Sequence, residues 1–239
     1  MLNIAEIFSS LQGEGPYIGT KQIFLRLSGC NLSCSYCDTS WAQQSQQKFT
    51  VDIADFHKEY LNPLSAKVFT EELIPKLGSD IFAISITGGE PLLQASNLAK
   101  VLPPLQAKVK ILLETNGTMA KELELVLPWV DIISMDIKFP QYCAENYFSK
   151  HAQFLNLATT KDVYIKMVIG EDTITSDIIK SAELIAKIAP KTPTILQPLF
   201  LGELHPLWLE KLIKVQSELL KVLPDVRIIP QMHKLLGIR

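Results

Sequence analysis

Seven short stretches of this 239-residue chain are mostly apolar or β-branched: QIFLRL, IFAISIT, VKILLET, DIISMDI, VYIKMVI, TILQPL and VRIIP. The central ones run continuously apolar rather than alternating, as strands buried on both faces of a parallel sheet do. Between them the period changes. SDIIKSAELIAKIAP repeats its apolar residues at intervals of three and four, which predicts an amphipathic helix with Ser176 as N-cap. HPLWLEKLIKVQSELLKVLP predicts a longer helix, with Pro206 in its first turn and Pro224 closing it. MAKELELVLP and LLQASNLAKVLPPLQ give two shorter ones. Strand and helix therefore alternate as βα units around a parallel sheet. About six such units follow residue 37, fewer than the eight of a closed barrel, so the expected fold is α/β: an open, partial (β/α)6-type TIM barrel. A doubly wound open sheet uses the same pieces and stays open as an alternative. AQQSQQKFT reads as a polar loop, and VDIADFHKEYLNPLSAKVF shows no clear period. No repeat or low-complexity linker divides the chain, so residues 1–239 are expected to form a single domain.

Composition narrows the function classes. Hydrophobic residues make up 47% and charged ones 20%, enough for a sizeable core and unlike a disordered chain. A net charge of −2 with no run of one sign gives no basic groove, so direct nucleic-acid binding is not expected. MLNIAEIFSS has no basic stretch ahead of an apolar core, and no apolar run approaches the roughly 20 residues that span a bilayer. A cytoplasmic protein without membrane contact is expected. In a reducing compartment, clustered cysteines bind metal or do redox chemistry more often than they form disulfides.

Three of the four cysteines fall in CNLSCSYCDT, spaced C-x3-C-x2-C, directly after the first apolar stretch. That position is the C-terminal end of a strand, the edge where parallel α/β folds collect ligands. Structural zinc and ferredoxin clusters both want four protein ligands, and here the fourth is missing nearby. Three thiolates on a four-iron cluster leave one iron open to an exogenous ligand. A zinc knuckle completed by a distant His or Cys is the competing reading. Cys143 stands alone in PQYCAENYF and reads as a small buried apolar residue.

The spacing, with Tyr36 before the last cysteine, resembles the signature of the radical S-adenosylmethionine (SAM) superfamily. SSLQGEGPYIGTKQIFLRLSGCNLSCSYCDT is similar to the N-terminal region of the 7-carboxy-7-deazaguanine synthase family, and ITGGEP, ETNGT and RIIPQMHK have counterparts there in the same order. The resemblance implies a radical SAM core in which Cys30, Cys34 and Cys37 hold a [4Fe-4S] cluster. The open iron would bind the methionine part of SAM, and reductive cleavage would yield a 5′-deoxyadenosyl radical. It implies SAM contacts from Tyr36, Asp38, Gly89, Glu90, Glu114, Asn116, Asp136 and Lys138. Adjacent glycines in TGGEP also fit a plain sharp turn, and an Asn-Gly turn explains ETNG equally well. Asp136-Ile137-Lys138 departs from the Ser-Pro-Lys of several relatives, and a surface ion pair is its plainest alternative.

The substrate implied is 6-carboxy-5,6,7,8-tetrahydropterin. Glu14 suits its guanidine-like edge, Gln12 and the Gly13 backbone would support the orientation, and Thr87 is a further contact. Arg26 has the planar fork that suits a carboxylate, though on a strand it also fits an outward-pointing position. Thr39 would help hold Mg²⁺, an inherited role, since position alone makes it a turn or N-cap residue. The match of Pro230, Gln231 and His233 implies a C-terminus that closes over the substrate. The family is usually dimeric, so a homodimer is expected, served by an external electron donor such as flavodoxin or ferredoxin. Two rivals remain: an activating enzyme that installs a glycyl radical on a partner protein, and a non-catalytic iron–sulfur or zinc binding module.

Overall fold

The computed structural model describes residues 1–199 and 206–238. All seven apolar stretches are strands: β2 Lys21–Leu27, β5 Ala83–Gly88, β6 Lys110–Thr115, β7 Ile132–Asp136, β8 Asp162–Ile169, β9 Thr194–Pro198 and β10 Val226–Ile228. Three more precede or join them: β1 Ile4–Leu11, β3 Lys48–Ile53 and β4 Phe56–Leu61. The ten strands form one unclosed sheet in the order β10-β9-β8-β7-β6-β5-β2-β1-β3-β4. From β2 through β10 every neighbouring pair is parallel, while β1 runs antiparallel to β2 and β3 antiparallel to β4. A parallel sheet that curls without closing is the partial barrel expected.

Two strands were illegible for a physical reason. Most of the stretch read as a polar loop is one, but its last three residues, Lys48 to Thr50, join residues 51–61 of the stretch without a period in the β3–β4 hairpin, turned at Ala54 with φ 48°. This hairpin is the sheet edge, and its outward positions carry exposed pairs such as Lys48–Glu59 at 2.6 Å and His57–Asp52 at 2.8 Å. Solvated charges on an edge strand hide the apolar alternation and contribute little stability.

The helices α1 Ala66–Val68, α2 Ala95–Gln106, α3 Ala120–Val126, α4 Pro140–Cys143, α5 Phe148–Ala158, α6 Thr175–Ile188, α7 Pro206–Leu219 and α8 Met232–Leu236 follow the strands. α1 continues through a wider and then a tighter turn to Lys76. Ser176 is not the cap of α6. The helix starts one residue earlier, the cap position falls on Ile174, and no side chain caps it. Pro206 opens α7 as expected, but the helix ends at Leu219, short of Pro224. His205, just ahead of it in the sequence, lies outside the described residues.

Alternate residues of each strand face opposite ways, and the two faces differ. Outward residues such as Ile84, Ile86, Leu113, Ile133 and Met167 join the main core with helix residues such as Leu98, Phe154 and Ile185. The inward face is layered. Ala83, Leu112, Ile132, Tyr164 and Ile195 form a small apolar plug inside the barrel. Two residues further along the same strands stand Ser85, Glu114, Ser134, Lys166 and Gln197. The plug shuts the barrel at one end, and the polar layer floors a cavity at the strands' C-terminal ends. Among the described residues, no helix is long and apolar enough to cross a membrane.

Candidate active site

The cavity holds about 550 Å³. Of the residues predicted for the site, all but Glu90 line it.

At one end stands the loop after β2. Cys30, Cys34 and Cys37 border the cavity, and the Cys30 thiol accepts the Leu32 N–H at 3.4 Å. The loop after β5 packs directly against it: Glu90 N–H donates to the Gly29 carbonyl at 2.8 Å. A Cβ on Gly89 would stand 2.1 Å from that Gly29 oxygen and 2.9 Å from the Cβ of Cys30. The glycine is thus needed to let two protein loops meet, whatever a ligand adds.

Glu90 departs from its expected role as a SAM contact. It is wholly buried, and its carboxylate accepts from Leu92 N–H at 3.0 Å, Thr115 Oγ1 at 2.9 Å and Asn116 N–H at 2.8 Å. It joins the loops after β5 and β6 rather than reaching the cavity. Burial pushes its carboxyl up to about 7, against the pull of those three donors. Asn116 is fixed in turn. Its side-chain amide donates to Asn31 Oδ1 at 2.8 Å, and its Oδ1 accepts from Thr118 N–H and Oγ1 at 3.1 and 2.6 Å. The Asn-Gly turn and the cavity lining are the same structure.

Cys143 is buried, as the sequence suggested, but not isolated. Its sulfur lies 2.9 Å from that of Cys34. A tetrahedral zinc with bonds of about 2.3 Å would hold two thiolates about 3.8 Å apart, so the pair is not arranged as two ligands of one zinc. The Cys143 hydrogen bond, against burial and aided by the Lys138 charge, brings the Cys34 thiol down to about 7. Among the described residues, no group of three or more His, Cys, Asp and Glu is gathered for a single metal ion.

In the middle lies a buried charge chain, not the surface pair that was the plain alternative. Lys138 Nζ is 2.8 Å from Asp136 Oδ2, with side-chain exposures of 12% and 11%, and also reaches the Tyr36 hydroxyl at 3.2 Å. Burial favours a neutral Lys138, but the Asp136 charge outweighs it and holds the amine well above its ordinary range. Lys166 follows on β8, 3.6 Å from the same Asp136 oxygen.

At the far end Lys166 Nζ meets Glu14 Oε2 at 2.5 Å, while Gln197 and Gln231 amides donate to Glu14 Oε1 at 3.0 and 2.8 Å. Burial alone would push the Glu14 carboxyl up. Lys166, by charge and hydrogen bond, and then Gln231 outweigh it and hold the group at about 2. Gln12 accepts the Glu14 N–H at 3.0 Å and donates to Glu114 at 3.0 Å. Glu114 also accepts from Ser85 at 2.6 Å and Thr87 at 3.0 Å, so it belongs with the Thr87 side of the cavity. Arg26 does not point outward: it is half-enclosed, donates from Nε to its cross-strand neighbour Glu6 at 2.9 Å, and lies over the Phe8 ring. Gly13 takes the Met232 N–H on its carbonyl at 2.9 Å, and a Cβ there would fall 2.3 Å from His233 Nδ1. The C-terminal α8 is therefore docked on this end. Asp38, on the rim, meets Lys234 at 3.4 Å and Gln231 at 3.4 Å. Thr39 sits at the cap position of the turn Ser40–Gln43 without capping it, its hydroxyl 3.9 Å from the Cys37 sulfur.

The donor set fits an iron–sulfur cluster with a ligand that carries hydroxyl and amino groups. Three thiols face the cavity, and two buried acceptors within it, Asp136 Oδ1 and Gln197 Oε1, have no protein partner among the described residues. Sequence reading missed Lys166, Gln197, Ser85 and Ser134. Their one signal is a lone polar residue inside an apolar strand, two positions beyond an apolar one.

A family model described as a 4Fe-4S single cluster domain matches residues 11–150. The 7-carboxy-7-deazaguanine synthase of Geobacter sulfurreducens is 38% identical over 98% of this chain and 96% of its own length. That of Methanothermobacter thermautotrophicus is 32% identical over 99% and 97%. Among solved structures, QueE from Escherichia coli covers 97% of this chain and 94% of its own at 21% identity, with a TM-score of 0.63. TYW1 with a lysine-pyruvate adduct bound covers 84% and 74% at 13% identity, with a TM-score of 0.59. The two structures speak for the fold alone.

Proposed function

Since the chain belongs to the 7-carboxy-7-deazaguanine synthase family of radical SAM enzymes, we propose how its own residues divide the work of that reaction. The enzyme converts 6-carboxy-5,6,7,8-tetrahydropterin to 7-carboxy-7-deazaguanine with loss of ammonia, a carbon–nitrogen lyase step in 7-deazapurine biosynthesis such as that of queuosine. Substrate and products balance without an external oxidant. When bound, the [4Fe-4S] cluster and SAM supply a carbon-centred radical that removes a hydrogen atom from the substrate and later returns it.

Cys30, Cys34 and Cys37 hold the cluster. Lys138 takes the SAM carboxylate and the unpartnered Asp136 oxygen takes ribose hydroxyls, with Tyr36, Asp38, Gly89, Glu114 and Asn116 shaping that subsite. Glu14 receives the N–H groups of the aminopyrimidinone edge, oriented through Gln12 and Gly13. Arg26 pairs with the substrate carboxylate and Thr87 supports the ring. Thr39 would offer its hydroxyl to a Mg²⁺, a hard cation that takes oxygen ligands. Glu90 acts from behind, by fixing Asn116 and the loop beside Cys30. Gln231, just ahead of α8, and His233 within it keep water from the substrate. A homodimer in the cytoplasm, reduced by a flavodoxin- or ferredoxin-like donor, completes the reading, with residues 1–239 as one domain.

One observation carries the assignment: an ionised carboxylate with amide neighbours stands across a single cavity from three thiols. Anaerobic turnover of the iron- and sulfide-reconstituted protein tests it, with the pterin, SAM, Mg²⁺ and a strong reductant. Deazaguanine carboxylate in excess over deoxyadenosine is the expected result. Deoxyadenosine without that product would reject the substrate, and neither product from cluster-loaded protein would reject the enzyme.

A further inference from the structure

The contact between Cys34 and Cys143 has no part in the roles assigned above. Cys143 ends α4, is 7% exposed, and its sulfur lies 2.9 Å from that of Cys34. Other contacts hold the two segments together independently of the sulfurs. Ser35 N–H donates to the Tyr142 carbonyl at 3.0 Å, and the rings of Tyr36 and Tyr142 meet edge to face with 5.1 Å between centroids. Cys143 N–H is in turn bonded to the Phe139 carbonyl at 3.2 Å. The residues on either side of each cysteine thus set the thiol in place.

Distance alone leaves open which sulfur donates, but a cluster decides it. A cysteine on iron is a thiolate and has no proton to give, so Cys34 accepts. A second thiolate at 2.9 Å in a buried place would face it with like charge, so Cys143 keeps its proton. The other two sulfurs frame the comparison. Cys30 receives the Leu32 N–H at 3.4 Å, and Thr39 Oγ1 stands 3.9 Å from Cys37, at the edge of reach. Cys143 gives to Cys34 what the loop's own backbone gives to Cys30.

We propose that Cys143 is a positioning residue for the cluster: its thiol donates a hydrogen bond to the Cys34 sulfur and makes the cluster easier to reduce. Hydrogen bonds to ligating sulfurs are one of the levers that set such potentials. The sign follows from charge. One electron enters from the external donor, the cluster becomes more negative by one unit, and a donor aimed at its sulfur favours that state over the oxidised one. The proton stays on Cys143 throughout. The proposal rests on the reading of Cys34 as a cluster ligand.

The test is a redox titration of reconstituted holoenzyme with dithionite, without substrate, followed by electron paramagnetic resonance. Cys143→Ala is expected to keep its cluster. At a fixed applied potential its ratio of reduced to oxidised cluster falls about fivefold, the weight of one ordinary hydrogen bond. Cys143→Ser keeps an O–H donor and recovers most of that ratio. A merely structural cysteine would alter unfolding and leave the ratio alike in all three proteins. Infrared spectroscopy adds a readout that needs no variant. With three of the four cysteines on iron, the holoenzyme has a single S–H stretch, expected below the frequency of a free thiol and lower again on reduction. An unchanged ratio in cluster-loaded Cys143→Ala overturns the proposal, as does a stretch at the free-thiol frequency. Absence of any S–H stretch, or loss of the cluster in both variants, makes Cys143 a ligand and overturns it too. Should only Cys143→Ala lose its cluster, the stretch in the unaltered protein decides. A cluster that survives Cys34→Ala is a different outcome: the ligand reading fails, and the proposal falls with it.

Discussion

The two ends of the cavity are built in different ways. At the cysteine end, backbone holds backbone: Gly29 accepts from Glu90, Gly89 has no room for a Cβ, and the buried Glu90 carboxylate is tied to two main-chain N–H groups. At the Glu14 end, side chains from β8, β9 and the segment before α8 converge on one carboxylate, from residues 152, 183 and 217 positions away in sequence. Backbone contacts fix a position whatever the ligand state. Side-chain contacts can be exchanged. The cysteine end is thus a rigid mount and the Glu14 end an adjustable one.

Gly89→Ala should break that division most severely. The added methyl must displace the Gly29 carbonyl or the Cys30 side chain, an overpacking cost of about 3 kcal/mol, and iron retention should fall with it. Thermal unfolding together with iron content of the purified protein checks both, and a variant of normal stability with full iron would show that the mount is not rigid. Glu14→Gln should act on the other end alone. Pterin affinity is expected to drop about a hundredfold, the loss of a charge-assisted pair worth about 3 kcal/mol, while iron content and SAM binding by the holoenzyme stay near normal.

Acid should separate the ends more gently. His151 is buried beside the Asn116 carbonyl, 3.1 Å from its Nε2, and burial pulls its imidazole down to about 4. Because the folded protein keeps it neutral, its contribution is present above the unfolded value near 6.5 and is lost as pH falls toward 4. Glu14, held at about 2, contributes above its unfolded value near 4.5 and loses that contribution as pH falls toward 2. Urea unfolding against pH should therefore flatten in the upper window for His151→Gln and in the lower window for Glu14→Gln. A single shared window would merge the two regions. The smallest effect belongs to Cys143→Ala. It should cost about 1 kcal/mol and leave the cluster in place, and cluster loss in that variant would make Cys143 a fourth ligand.

Much of the cysteine end was legible because its parts are short contiguous motifs. CNLSCSYC, TGGEP and ETNG each carry their own loop chemistry, and each follows an apolar strand that sets it on the same sheet edge. Even so, Glu90 lies behind the cavity wall rather than on it, since sequence does not say which way a carboxylate in a tight turn will face. At the other end Lys166 and Gln197 were read as parts of apolar strands, and Cys143 as an isolated residue. A strand's period gives the face of each side chain but not whether that face meets helices or the barrel's inside.

What the sequence determined by itself is what local chemistry determines: seven buried strands, the alternation with helices, and the three thiols at a strand end. Tertiary structure alone decided that Glu14, Lys166, Asp136 and Lys138 form one buried chain of charges. Glu14 and Lys166, 152 positions apart, become partners only when the sheet curls, and the same curl excludes the water that would otherwise solvate each charge separately.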